Sequence, residues 1–502
     1  MAPKSSVNAE NRPQSSEAGI ELGQNPSSSE FYGEILSPEE SLKREKLERR
    51  VKWKLDFIIL PLLSTVYFLA QMGRSDLGNA KIAGMEEELK LTPRQYSNLA
   101  SIFLVGYLAF QLPGTLMVRK IGPPLQFATA MFCWGVFTTS VVGIHSYGSL
   151  MVLRTFVGCA EAFVQGAVFY LSFWYTYSEL ATRGAIFYST SALAGSFNGL
   201  LAYAIQLNLD GSNGWSAWRW IFFIEGLVPM GWAFVVFFLL PRTPETSPAL
   251  YFTPEEKEVI IARSRAAQNT GESKIRPKLI LKLLMDPKFW LLSCVDMGTH
   301  FCSSSLSHFL PAILEGFGWS SVKSQLMTVI VYSCAFVGIL LSARVADRLD
   351  WRGLIICINA SIAILAYALL LGLTSNTGRF IATCLAAAST YPNVVLVLSW
   401  TAINNPGYTY RASAAAIINI VSQCLAISGN QAYADPPFYR VGNSASLSLM
   451  ALSCACSIVL MLHLKRENKK KMENLHSEEA TRLREFSVDE ISHRHPDILF
   501  HL

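Results

Sequence analysis

Five stretches of this 502-residue sequence set polar and ionisable side chains at helical spacing inside otherwise apolar runs. Arg154, Gly158, Glu161 and Gln165 recur at intervals that put all four on one face of a helix. Asp296, His300, Ser303 and Ser307 repeat the pattern, and Tyr67, Gln71, Arg74 and Gly78 form a third face. Asn419, Gln423 and Asn430 offer amides, and Tyr391-Pro392-Asn393 sets another beside a proline. A guanidinium grips a carboxylate bidentately, so Arg74 or Arg154 suits a small organic anion. Glu161, or Asp296 with His300 one turn on, suits a proton, because an imidazole beside a carboxylate can change charge near neutral pH. Each set has a plain structural alternative. An Arg154–Glu161 pair could serve only to lock packing, His300 could be hydrogen-bonded structure, and the amides could be interhelical glue.

The elements that must carry these faces are membrane spans. Apolar residues make up 51% of the chain and charged residues 16%, below the roughly 25% charged fraction of ordinary soluble domains. Charge gathers in 1–54, 242–288 and 465–502. Between these regions, runs of about 20 apolar residues, enough to cross a bilayer, fall near 55–75, 95–118, 123–144, 149–174, 183–207 and 218–240. Six more follow near 289–314, 323–345, 353–373, 379–402, 412–433 and 443–464, the seventh and eleventh being the least apolar. With the N-terminus in the cytosol, all but nine of the 42 Lys and Arg lie on the cytosolic side, as the positive-inside rule requires. The net charge of +5 therefore reads as topology and not as nucleic-acid binding.

Five regions follow: a disordered cytosolic tail (1–53), a six-helix bundle (54–240), a cytosolic loop (241–288), a second six-helix bundle (289–465) and a cytosolic C-terminal tail (466–502). No cleavable leader opens the chain, so the first span is expected to be the insertion signal. Thr253-Pro254-Glu255-Glu256 is a capping box that starts a loop helix running to about Gln268. Ser191, Gly195 and Gly199 let the fifth span approach a neighbour closely. Prolines 61, 113, 229, 311 and 392 sit inside spans, where kinks are tolerated. All ten cysteines lie in the apolar segments without paired spacing, which argues against a disulfide framework or a zinc site. Asp56 and Arg119, at span ends, are expected to snorkel. Glu225 lies deeper and is placed to pair with a neighbouring helix.

The layout of six and six resembles the major facilitator superfamily, whose bundles are repeats. Ala343-Arg344-Val345-Ala346-Asp347-Arg348-Leu349-Asp350-Trp351-Arg352 is similar to that superfamily's cytosolic gating motif. The equivalent first-half loop, Met117-Val118-Arg119-Lys120-Ile121-Gly122-Pro123, has Arg119 where the family's aspartate is expected and keeps Gly122. Leu153-Arg154-Thr155-Phe156-Val157-Gly158 resembles the fourth-span arginine motif associated with proton coupling. Within the superfamily, the fungal anion:cation symporters of the allantoate permease branch, which includes nicotinate and other vitamin carriers, are the nearer resemblance. The segments that carry it are Gly78-Asn79-Ala80, Trp218-Arg219-Trp220 with Glu225-Gly226, Pro241-Arg242-Thr243-Pro244-Glu245, and Asp435-Pro436-Pro437-Phe438-Tyr439-Arg440-Val441-Gly442. The match runs over roughly 54–465. Two departures stand out. The branch's Asp-Arg-x-Asn is replaced by Gly73-Arg74-Ser75-Asp76, so the acid follows the arginine. The antiporter glycine–proline motif is missing around Gly195-Ser196-Phe197-Asn198-Gly199.

The resemblance implies an all-α membrane protein of the major facilitator fold, with twelve transmembrane helices. It further implies a proton-coupled symporter that imports a small organic anion (nicotinate, allantoate or pantothenate are examples) by alternating access. Spans 1, 4, 7 and 10 would line a midplane cavity. Substrate would meet Arg74, Arg154, Gln71, Gln165, Tyr67, Asn393, Asn419 and Gln423. The proton would ride on Glu161, Asp296, His300 or Asp76, and Asp347, Arg348, Arg119 and Gly122 would form the gating loops. The expected partners are the anionic solute, protons and the lipid bilayer, with no nucleic acid, no cofactor and no metal. A plasma-membrane monomer with both termini cytosolic is expected. The rival readings are an efflux antiporter, a non-transporting nutrient sensor and an integral membrane enzyme. The last would need a nucleophile or metal constellation such as His-Glu-x-x-His, and none is present.

Overall fold

The apolar runs become long helices whose ends are set by local chemistry. In the computed structural model, residues 38–502 are described apart from 172, 248–250, 269–276, 350, 407, 437, 476, 485 and 487–490. Twelve helices carry the fold. They are α1 (Pro38–Ala80), α2 (Pro93–Ile121), α3 (Pro123–Ser140), α4 (Tyr147–Ala162), α5 (Tyr177–Asn208), α6 (Ala217–Leu239), α7 (Pro287–Glu315), α8 (Ser321–Leu349), α9 (Arg352–Gly372), α10 (Asn376–Asn404), α11 (Tyr408–Ala432) and α12 (Arg440–Glu473). Thr92 caps α2: its hydroxyl accepts from the Gln95 amide at 3.3 Å and the Gln95 side chain accepts from the Thr92 N–H at 2.9 Å. Between α2 and α3 the chain turns at Gly122, whose φ of +93° is a conformation that favours glycine.

Two of the expected boundaries move. The tail expected to be disordered to residue 53 is already helical from Pro38, and residues 1–37 lie outside the described residues. The fourth span does not run unbroken to 174. It stops at Ala162, passes through a turn, and resumes as a short helix at Ala167–Leu171.

By length and composition, eight of the described helices are apolar enough to cross a membrane: α1, α3, α6 and α8 to α12. α7 falls short of that composition, as its sequence suggests. It sends Asp296, His300, Ser303, Ser304, Ser307 and His308 into the cavity described below.

The packing repeats itself. In the first half α1 packs on α5, α2 on α4, and α3 on α6. In the second half α7 packs on α11, α8 on α10, and α9 on α12. Each pairing recurs six helices later, so two bundles share one design. They meet along α5/α8 and α2/α11, with α1 and α7 between.

The start of α1 and the end of α12 lie on one face, called here the tail side; the opposite face is the far side. On the far side a single apolar core crosses both bundles, taking Leu77, Tyr96 and Trp218 together with Phe309, Tyr332 and Tyr433. Towards the tail side the core divides into two. One cluster, around Phe127, Tyr170 and Trp174, belongs almost wholly to the first bundle. The other, around Phe289, Ile356 and Trp400, belongs to the second.

The loop helix Pro254–Gln268 forms as its capping box predicts, with Glu256 and Thr253 exchanging hydrogen bonds. It is tied down to the first bundle. Lys54 reaches Glu256 at 2.7 Å, and Arg263 and Lys52 both hold Glu179. Asp56, expected to snorkel, instead takes a two-pronged grip from Arg183 at 3.0 and 2.7 Å.

The C-terminal segment folds back under the second bundle. The His501 carbonyl accepts from Trp400 Nε1 at 2.9 Å and Asn404 Nδ2 at 3.0 Å. Lys471 donates to the carbonyls of His493, His495 and Ile498.

Candidate functional site

Between the bundles lies a cavity with about 1280 Å³ of non-protein space, counting the part open to solvent. Its first-bundle wall is Tyr67, Gln71, Arg74, Tyr107, Gln165 and Tyr188; α7, α8, α10 and α11 supply the other wall.

Arg74 dominates the first wall. Its Nε donates to Glu161 Oε1 at 2.7 Å and its Nη2 lies 2.6 Å from the same oxygen. The guanidinium also stacks 4.7 Å from the Tyr107 ring centre and 5.6 Å from that of Phe103. A planar cation held by one carboxylate and flanked by aromatic faces has been desolvated in place. Tyr67 continues this surface, stacked on Phe187 at 4.4 Å and edge-on to Tyr188 at 5.4 Å. The Tyr107 hydroxyl donates to Gln165.

This pairing corrects the expected one. Glu161 belongs to Arg74 of α1 and makes no direct pair with Arg154 of its own helix. The seven-residue step from Arg154 to Glu161 spans about 10 Å of helix, which leaves Glu161 to the helix beside it. Arg154 is turned away from the cavity. It is 2% exposed, lies 5.4 Å from the Phe103 ring centre, and buries Nε and Nη2 without hydrogen-bond partners. A direct substrate contact at Arg154 is therefore not what this arrangement offers. Gln165 does reach the cavity, from the turn after α4 and not from a continuous helical face.

On the opposite wall, Asp296 and His300 come together as their spacing predicts. Nδ1 of His300 lies 3.2 Å from Asp296 Oδ1, close enough for an ion pair though poorly aligned for a hydrogen bond. Asn419 accepts from Gln423 at 2.7 Å and from Gln111 of α2 at 3.0 Å, so it bridges the bundles at the cavity rim. Asn393 is not in the wall. It is fully buried between α9 and α10, accepting from Asn359 at 3.1 Å and donating to the Ile356 carbonyl at 3.3 Å. It is a packing residue.

Asp76 also leaves the expected place. It is fully buried behind α1 and accepts from Asn198 Nδ2 at 2.8 Å. Of the gating residues, Asp347 and Arg348 are exposed at the tail-side end of α8, and Arg352 reaches Asp347 at 3.3 Å. The Arg119 side chain lies outside the described residues; its backbone is in the last turn of α2, three residues before Gly122.

Sequence reasoning missed the far-side seal. Tyr96 donates to the His308 carbonyl at 2.7 Å, and His308 Nδ1 sits 3.0 Å from the Arg74 carbonyl. Ser321 donates to Ile82 at 2.5 Å, and Gln431 reaches Asn98 at 3.0 Å. The cavity is closed on that side. Towards the tail side it extends past Val397, Leu398 and Thr401 of α10 and past Ala415 and Ile418 of α11. His308 was legible as a polar residue one position beyond Ser307, but nothing in its spacing marked it as the latch. Among the described residues, no group of three His, Cys, Asp or Glu side chains could hold a metal.

The family model for the Major Facilitator Superfamily matches residues 63–429. The chain belongs to the major facilitator superfamily. An uncharacterized transporter of Schizosaccharomyces pombe is 31% identical over 441 residues, 87% of this chain and 88% of its own length. A high-affinity nicotinic acid transporter of Saccharomyces cerevisiae is 29% identical over 432 residues, covering 85% and 79%. Among solved structures, a bacterial homologue of the human lysosomal transporter Spinster, inward-facing, superposes with a TM-score of 0.61 at 15% identity, covering 80% and 96% of the two chains. A D-xylose-proton symporter gives 0.60 at 13% identity, covering 80% and 97%. These structures share the fold: twelve transmembrane helices in two six-helix bundles. The chain is a multi-pass membrane transporter.

Proposed function

We propose that this transporter imports a small organic anion together with a proton, the anion's carboxylate being gripped by Arg74. The observation that carries this reading is Arg74 at the cavity wall, held from behind by Glu161, with Tyr67 and Tyr107 beside it. A substrate carboxylate that takes Arg74 must displace Glu161. A buried carboxylate stripped of its partner costs several kcal/mol, on the order of 3–5. Protonating Glu161 removes that cost, so anion binding and proton binding favour one another at one site. The Asp296–His300 pair faces the same cavity and offers a second place for a proton.

The relative that carries nicotinic acid supports a flat carboxylate as the solute. Aromatic walls and amides suit nicotinate, and allantoate or pantothenate fall in the same chemical class. The excess of Lys and Arg on the tail side supports cytosolic termini, and the plasma membrane is the proposed location, with one chain the working unit.

Uptake of a labelled carboxylate panel in cells lacking their own carriers, at two pH values with and without a protonophore, tests this reading. Accumulation of at least one carboxylate that is faster at acid pH and abolished by the protonophore is the expected result. Export, or uptake indifferent to pH and protonophore, would contradict it.

A further inference from the structure

The segment 491–502 lies in a groove on the tail side of the second bundle, and the groove holds it as a peptide. Asn468 of α12 exchanges two hydrogen bonds with the Phe500 main chain, donating to its carbonyl and accepting from its N–H, each at 2.8 Å. Asn404 of α10 does the same for His501 at 3.0 and 2.9 Å, and Trp400 Nε1 adds a second donor to the His501 carbonyl at 2.9 Å. Two asparagines thus stand in for two neighbouring strands, because successive residues of an extended chain turn their N–H and C=O to opposite sides. Main-chain pairing of this kind gives a peptide its hold, and a side-chain pocket selects it. Phe500 fills the pocket here. It is 6% exposed, belongs to the apolar cluster of Phe289, Leu292 and Trp400, and has the Lys288 and Lys471 ammonium groups 4.4 and 4.8 Å from its ring centre.

The groove joins parts that line the cavity to parts that do not. Besides Trp400 and Asn404 near the end of α10, the segment holds the turn that follows: Ser492 Oγ donates to the Pro406 carbonyl at 2.6 Å. The His493 ring stands edge-on to Tyr410 in the first turn of α11, 5.7 Å between centres. Its other holds are Asn468 and Lys471 of α12 and, beside the start of α7, Asp286 at 3.5 Å from His493. The segment therefore ties the α10–α11 hairpin to α7 and α12. Another face of the same hairpin, with Val397, Leu398, Thr401, Ala415 and Ile418, borders the cavity on the tail side. Closing the cavity there requires the hairpin to swing towards the first bundle, and Pro392 inside α10 supplies a place to bend. Ser492 is wholly buried with a φ of +52°, a left-handed backbone that a serine keeps only while its surroundings impose it.

We propose that this groove is a regulatory peptide site whose occupant is the chain's own segment 491–502, anchored by Phe500, and that its occupancy holds the α10–α11 hairpin back and the cavity open to the tail side. With the groove empty the hairpin is free to swing, so the state closed on the tail side and open on the far side gains population. The grip falls on main-chain groups and one aromatic ring, so a peptide of the same sequence supplied in trans fills the groove when the segment leaves it.

Phe500→Lys sets a third ammonium group against Lys288 and Lys471 in an apolar pocket and should release the segment. Hydrogen–deuterium exchange of the full-length protein should then show protection lost over 491–502; retained protection would overturn Phe500 as the anchor. Reaction of Ser307→Cys in the cavity with an impermeant thiol reagent added on the far side, over the background of the native cysteines, should quicken about tenfold in the Phe500→Lys protein, the worth of one or two hydrogen bonds. Asn468→Ala, which deletes the grip from the α12 side, should quicken it in the same direction. A synthetic peptide with the sequence of residues 491–502, added on the tail side, should return the Phe500→Lys protein to the slow rate, which also shows that the variant is folded. The same peptide carrying Phe500→Lys should have no effect. A released segment with unchanged far-side reactivity would overturn the regulatory role, and a native peptide without effect would overturn the groove as a peptide site. No solute enters these measurements, so a failure of carboxylate uptake would count against the proposed function alone.

Discussion

Two positions separate Arg74 from Asp76, and about 200° of helix rotation sends them to opposite sides of α1. Arg74 faces the cavity and Glu161; Asp76 faces Asn198. The acid that follows the arginine therefore cannot replace one that precedes it as the arginine's partner. Two predictions belong at this scale. Arg74→Lys keeps the charge but loses the fork, so kcat/KM for uptake should fall roughly 30-fold for about 2 kcal/mol of charged hydrogen bonding; a change under threefold would count against the anion grip. Asn393→Ala should leave KM unaltered and lower unfolding stability by about 1 kcal/mol, because its bonds run to Asn359 and Ile356. A raised KM would return it to the binding site. The faces holding Arg74, Glu161, Asp296 and His300 were legible from spacing. The partners were not, because spacing tells which residues share a helix face and not which neighbouring helix that face meets.

At the scale of elements, most span boundaries fall within a few residues of the apolar runs, since bilayer thickness and hydrophobicity set both. The break in α4 was not legible. Gln165-Gly166 leaves the helix at a point where Gly166 packs tightly on Val118 of α2, a contact visible only once the helices are assembled. Glycine contacts also mark where the bundles close on each other. A Cβ at Gly78 would lie 2.8 Å from the His308 carbonyl and 3.2 Å from Pro311 Cδ. Gly78→Val should therefore wedge the far side apart. Overpacking of this kind costs about 1–3 kcal/mol, enough to shift an open–closed equilibrium roughly fivefold or more. A cysteine introduced as Ser307→Cys in the cavity should then react correspondingly faster with an impermeant thiol reagent added on the far side; an unchanged rate would show that Gly78 does not hold the seal.

For the whole molecule, the two halves repeat one packing scheme, and the six-plus-six hydropathy pattern already carried that. What it could not carry was the state: a far side sealed by one shared core, and tail-side cores that stand apart. The returning C-terminal segment was equally invisible, because its scattered histidines find their contacts only on the assembled second bundle. Burial, with repulsion from Lys288, Lys471 and Arg494, pushes docked His493 down to about 3 from 6.5, despite Asp286 at 3.5 Å. The undocked tail takes up its proton first. Docking is at full strength above pH 6.5 and weakens as pH falls towards 3, by about 1.4 kcal/mol per unit below the undocked value. A bimane label on Leu502→Cys, quenched by Trp400 when docked, should brighten as pH falls through this window, and His493→Phe should flatten the response. Equal brightening in both proteins would remove His493 from the mechanism.

Proton movement driven by the solute lies closest to the central claim. Proteoliposomes carrying a luminal pH dye, with no imposed gradient and the membrane potential clamped, should acidify inside when a carried carboxylate is added outside, and Arg74→Lys should slow that acidification roughly 30-fold at low solute, in step with its loss of uptake. Solute entry without acidification, or with alkalinisation, would contradict proton-coupled import.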